Sequence, residues 1–71
     1  MSKQEYQEAF RRYLDEKQAA EIMSRSVQTL RNERHLGKGV PYSKIGKSVR
    51  YLYQDILHFM ESRKVIPRNQ N

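Results

Sequence analysis

A mainly α chain carrying one small two-stranded antiparallel hairpin is the fold class this sequence predicts, and three observations carry it. Apolar residues recur at helical spacing through Ala19, Ala20, Ile22 and Met23, pause over Ser24-Arg25-Ser26, and resume at Val27 and Leu30. From Tyr42 to Tyr53 the pattern changes to alternation among β-branched and aromatic side chains, with a turn at Gly46-Lys47-Ser48. Beyond it, Ile56, Phe59 and Met60 return to the helical period.

The first segment, residues 2 to 13, reads as an amphipathic helix. Ser2 and Glu5 have capping-box spacing, and Tyr6, Ala9, Phe10, Tyr13 and Leu14 form one apolar stripe. That stripe is expected to pack on the domain's own core. Asp15 then caps the next helix, with Gln18 placed to close a capping box and Glu16 suiting the positive end of the helix dipole. Ala19 and Ala20 are small enough to let a second helix cross closely.

That second helix should run from Val27 to His35 and end near Gly37. Ser26 is its start signal, because a serine hydroxyl accepts a backbone N–H that the helix leaves unpaired. Val27 and Leu30 face inward, while Gln28, Thr29, Asn32 and Arg31 face out. Two short helices on a three-residue turn make a helix-turn-helix spanning residues 15 to 36.

Gly37-Lys38-Gly39-Val40-Pro41 is a breaker segment. In the hairpin that follows, residues 42 to 53, Ile45, Val49 and Tyr51 are expected to point inward. Lys44, Lys47 and Arg50 are left on the outer side or at the tip. Such a ribbon is marginal alone and must lean on the helices, as a wing does. The last helix, residues 54 to 64, turns Ile56, Phe59, Met60 and the stem of Arg63 inward, with Leu57 widening the stripe. Residues 67 to 71 form a polar tail after a single domain, 1 to 66.

At 71 residues the chain is near the lower size limit for a core that folds unaided. It has no cysteine, which excludes disulfides and thiolate metal sites and fits a reducing compartment. No apolar run approaches a bilayer span, and the N-terminus carries no signal-like stretch, so a cytoplasmic protein with no membrane partner is expected. Net charge is +6, and all of the excess lies between Ile22 and Tyr53. There Arg25, Arg31, Arg34, Lys38, Lys44, Lys47 and Arg50 face only Glu33. A field so localised favours a polyanion. Gln and Asn can pair bidentately with adenine, and arginine with guanine or phosphate. The expected ligand is therefore double-stranded DNA. Ser26, Gln28, Thr29, Arg31, Asn32 and His35 belong to its recognition helix. Arg25, Lys44, Lys47, Ser48 and Arg50 supply wing and backbone contacts.

From Tyr13 to Met60 the chain resembles a small winged helix-turn-helix of the excisionase and AlpA-like group, related to the DNA-binding heads of MerR regulators. The matching residues are Tyr13-Leu14, Ala19-Ala20-Glu21, Ser26, Gln28 to Asn32, Gly37-Lys38-Gly39 and Pro41-Tyr42. They continue with Lys44-Ile45-Gly46, Val49-Arg50-Tyr51, Asp55-Ile56 and Phe59-Met60. The resemblance implies a helix from Ser26 to His35 in the major groove and a wing around Gly46-Lys47-Ser48 at the neighbouring minor groove or backbone. Three departures stand out. Ser24-Arg25 replaces a usual glycine and buried aliphatic residue, Glu33 replaces a tryptophan or other apolar residue, and Gln54 replaces a serine before Asp55. Leu36 and the extra N-terminal helix are the expected compensation.

Other chemistry is not supported. Gly46-Lys47-Ser48 matches the end of a phosphate-binding loop, yet Pro41 stands where its leading glycine is required. His35 and His58 are isolated, and His58 with Glu61 offers too few ligands for a metal. No nucleophile has a base and an orienting partner. A non-enzyme without cofactor is expected. By resemblance it is an excisionase, bending attachment-site DNA and assisting an integrase of the tyrosine recombinase type, with cooperative self-association on DNA. The alternatives are an AlpA-like transcriptional regulator and, from another class, a protein-interaction adaptor or inhibitor using Tyr6, Phe10 and Leu57.

Overall fold

The computed structural model describes residues 11–68. The N-terminal helix expected over residues 2 to 13, with Tyr6, Ala9 and Phe10, lies almost wholly outside them. Its expected end does not, and there the structure differs: Tyr13–Leu14 is a strand, β1. Leu14 is buried and Tyr13 is exposed, an in–out alternation of period two. The helix stripe in the sequence ran on through these two residues because Tyr13 and Leu14 happen to continue its spacing.

Helix α1 (Glu16–Met23) begins at Asp15, whose side chain accepts from the Gln18 N–H at 2.8 Å while the Gln18 side chain accepts from the Asp15 N–H at 3.0 Å. This is the capping box expected from the sequence. Ser24 ends the helix in the left-handed region (φ 52°), a conformation glycine adopts more easily. It occupies the position where the resembled group carries glycine. Helix α2 (Val27–His35) is capped by Ser26, whose hydroxyl accepts from the Thr29 N–H at 3.0 Å.

Strands β2 (Ser43–Ile45) and β3 (Ser48–Leu52) form the ribbon, and α3 (Tyr53–Ser62) follows without a loop. Where the sequence predicts two strands, the sheet has three, in the order β1-β3-β2, with both pairings antiparallel. Beyond the sheet, the Tyr53 N–H donates to the Arg12 carbonyl at 2.9 Å. That bond satisfies the first orphan donor of α3, whose N-cap, Leu52, offers no side-chain acceptor.

The hairpin turn is shorter than the sequence suggests. Ile45 pairs with Ser48, leaving only Gly46 and Lys47 between the strands, with Gly46 at φ 60°. A loop shortened by one residue shifts the register by one, and every side chain of β2 changes face. Ile45, expected inside, is 71% exposed. Lys44 pairs with Val49, and Ser43 with Arg50, so Lys44 and Arg50 lie on opposite faces of the ribbon. Val49 and Tyr51 do point inward, as expected.

The core gathers Leu14, Ala19, Ala20, Met23, Leu30, Val40, Tyr51 and Ile56, with Val27, Val49, Tyr53 and Phe59 packed against it. Ala19 and Ala20 are buried, as a close crossing of α1 and α2 requires. Val40, read in the sequence only as part of a breaker, is a core residue. Two expectations fail on the other side: Met60 is 43% exposed and Leu36 65%. Leu36 therefore does not fill the space beneath α2. Among the described residues, no helix is long and apolar enough to cross a membrane.

Candidate nucleic-acid interface

At about 100° of rotation per residue, Gln28, Arg31, Asn32 and His35 fall on one side of α2, within roughly a third of its circumference. All four are exposed. The Gln28 amide donates to the Asn32 side-chain oxygen at 2.9 Å, so the two amides are held together on this face. Thr29 lies further round and is half-buried. Its hydroxyl and that of Ser26 share a 2.7 Å hydrogen bond. These two hydroxyls are thus engaged in starting the helix.

Arg31, at one edge of this face, borders an open cleft. Its walls are the start of α1 (Asp15, Glu16, Lys17), Arg31 and Arg34 of α2, and Lys47, Ser48, Val49 and Arg50 of the wing. Three of the four sequence-predicted residues of the wing therefore sit across from α2. Lys47 is exposed at the turn, and Arg50 is half-buried with Nη1 donating to the Val49 carbonyl at 2.8 Å. Lys44 is exposed on the other side of the ribbon.

Arg25 is placed elsewhere. Its guanidinium makes a bidentate pair with Glu33, at 2.9 and 3.1 Å, and it borders a separate groove with Met23, Phe59, Met60 and Arg63. The carboxylate of Glu33 and the charge of Arg25 cancel on the side of α2 facing Gly39. The structure does not bring Arg25 together with the wing.

Glu16 and Arg34, which organise the charges of the cleft, were not among the sequence's site candidates. Glu16 accepts from Arg31 and Arg34 at once, and Arg34 also donates to the Tyr51 hydroxyl at 2.7 Å. Arg34 is flanked by the Tyr42 and Tyr51 rings, 5.7 and 5.9 Å from their centroids. The hydrogen bond from Arg31 holds the Glu16 carboxyl below its ordinary range; partial burial opposes this, and Arg34 reinforces it. The available signal was the three-residue spacing of Arg31 and Arg34, which puts two guanidiniums on one side of a helix opposite an acidic helix start. Of the seven cations in the basic segment, three are paired with carboxylates: Arg25 with Glu33, and Arg31 and Arg34 with Glu16, which they share. Lys38, Lys44, Lys47 and Arg50 have no carboxylate partner among the described residues.

A capped pair of helices on a three-residue turn, with a β ribbon set beside the second helix, defines a winged helix-turn-helix module. Comparison with family models agrees: a helix-turn-helix domain matches residues 13–64, most of the chain, and the protein belongs to that family. Membership supports binding to double-stranded DNA. No curated protein and no solved structure matches the chain.

Proposed function

We propose that the protein binds specific sites in double-stranded DNA, with α2 in the major groove and the wing on the adjacent backbone or minor groove. The observation that carries this reading is the cleft in which Arg31 of α2 faces Lys47, Ser48 and Arg50 of the wing, beside the exposed amides of Gln28 and Asn32. Amides that can reach base edges and cations that can reach phosphates then follow one side of a duplex.

Within that reading the protein acts as an excisionase, a recombination directionality factor of a prophage or integrative element. The helix-turn-helix family to which it belongs includes excisionase- and AlpA-like DNA-binding proteins. A single module of this kind covers only about 600–1,000 Å² of protein surface on DNA, so useful specificity calls for several sites, neighbouring copies or a second protein. An integrase of the tyrosine recombinase type is the second protein this role implies. Phosphate contacts from both α2 and the wing also favour bending of the duplex toward the protein.

Footprinting on DNA flanking the source gene, with and without the integrase encoded beside it, tests the role. Protection of repeated sites near an attachment sequence, together with integrase-dependent excision, supports it. Protection confined to a promoter, with no effect on excision, replaces it with transcriptional regulation.

A further inference from the structure

Glu16 occupies the first position of α1, next to the capping Asp15, and is held from two directions. Arg34 Nη2 donates to one carboxylate oxygen at 2.9 Å, and Arg34 is itself fixed by the Tyr51 hydroxyl. Arg31 approaches from the outer side. Its Nε lies 3.2 Å from both carboxylate oxygens and its Nη2 lies 2.6 Å from one. The inner arginine is nearly enclosed, with 16% of its side chain exposed, whereas the outer one is 54% exposed.

A guanidinium has two edges able to make paired hydrogen bonds, one formed by Nε and Nη2 and the other by Nη1 and Nη2. Glu16 takes the first. Arg31 Nη1 has no hydrogen-bond partner among the described residues. Arg31 also lies on the same side of α2 as the Gln28 and Asn32 amides, whereas Arg34 turns away beneath it. Glu16, shared with Arg34, offsets part of the charge of Arg31 and so weakens its general attraction for phosphate. What remains is a planar donor pair whose orientation is fixed before binding.

We infer that Arg31 reads a base, presenting its Nη1–Nη2 edge to O6 and N7 of a guanine in the major groove, and that Glu16 is the positioning residue that aims it. The inference rests on the duplex-binding reading above and refines it by giving Arg31 a base contact in place of a phosphate contact. An unrestrained arginine has several torsions to freeze on reaching a base, and here that ordering is done within the folded protein. The same arrangement explains why an acidic residue stands in a cleft otherwise rich in cations.

The test is selection from randomised duplexes with wild type, Glu16→Gln and Arg31→Lys. Arg31→Lys keeps the charge and the Glu16–Arg34–Tyr51 cluster but loses the fork, and thermal melting confirms that each variant is folded. The selected wild-type site is expected to contain one guanine whose preference falls about tenfold in both variants. Other positions keep their preferences, and Glu16→Gln binds unrelated duplex as well as wild type or better. A Glu16→Gln protein that tightens on all sequences with the guanine preference intact overturns the inference, since Glu16 then only neutralises charge. So does an Arg31→Lys protein that selects the wild-type site unchanged. Wild type that enriches no sequence refutes the duplex-binding reading itself, and the inference falls with it.

Discussion

Arg25 and Glu33 meet across the turn of the motif through two hydrogen bonds, at 2.9 and 3.1 Å, tying the residue before the cap of α2 to its last turn. In the resembled group both positions are apolar. Here a partly buried ion pair takes the place of that apolar contact, and each departure from the pattern accounts for the other. Removing one partner leaves a desolvated charge, so Glu33→Gln or Arg25→Met should cost about 1–3 kcal/mol. Replacing both by leucine should recover most of the loss, because apolar side chains of similar volume avoid the desolvation of two charges. Urea unfolding of wild type, Arg25→Leu, Glu33→Leu and the double-leucine variant closes the cycle, and additive losses would show that the pair is not coupled.

Gly39 sits against the same glutamate. A Cβ placed there would lie 2.9 Å from Glu33 Cβ, and the backbone is at φ 95°. Gly39→Ala should therefore destabilise by more than about 1 kcal/mol, with the loss visible as a lower urea midpoint. A neutral result would mean that the breaker segment can move off α2 freely.

Ser24 should be improvable. It ends α1 at φ 52°, where a side chain is strained and glycine is not. Ser24→Gly is expected to raise stability by about 0.5–1 kcal/mol, partly offset by the greater freedom of glycine in the unfolded chain. A lower thermal midpoint in that variant would contradict the assignment of strain.

The sequence revealed local structure better than it revealed pairing. Asp15 with Gln18, and Ser26 ahead of Val27, identified both helix starts because capping is decided within three or four residues. The ribbon was legible as a ribbon, but its register turned on whether Ser48 belongs to the loop or to β3. That single residue decided whether Ile45 and Lys44 face in or out. Tyr13 and Leu14 were misread because a strand of two residues has no period of its own, and its pairing with Tyr51 and Leu52 is long-range. The exposed Gln28–Asn32 face followed from helical spacing alone. The ion pair of Arg25 with Glu33, eight residues away, was not legible; for Arg31 the spacing to Arg34 pointed to a shared acidic partner, but not to Glu16, fifteen residues away, in particular.

Acid should act on the cleft through Glu16. Its carboxyl is held below the ordinary range, so its contribution to stability is complete above the unfolded-state pKa and is lost as pH falls through the folded one. The stability difference between wild type and Glu16→Gln should be constant near neutrality and shrink below about pH 4. Paired unfolding curves across that range check the sign. A difference that instead grows as pH falls would contradict it.

Salt dependence should separate positioning cations from paired ones. Four unpaired cations, Lys38, Lys44, Lys47 and Arg50, predict a slope of log K against log salt of about −4 if all reach phosphate. Lys47→Ala should weaken all sequences alike and reduce that slope by about one. Arg25→Met should leave the slope unchanged, provided the comparison is made on folded protein. Gln28→Ala or Asn32→Ala should instead relax preference at one or two base positions.

The most direct measurement is an amide NMR titration of the intact chain with a duplex carrying its selected site. Shifts concentrated at Gln28, Arg31, Asn32, Lys47, Ser48 and Arg50, with Ile22, Phe59 and Met60 still, are the result expected of a duplex lying across α2 and the wing. Shifts that gather around Met23, Phe59 and Met60 while Gln28 and Asn32 stay fixed would place the ligand on the opposite side and contradict the account.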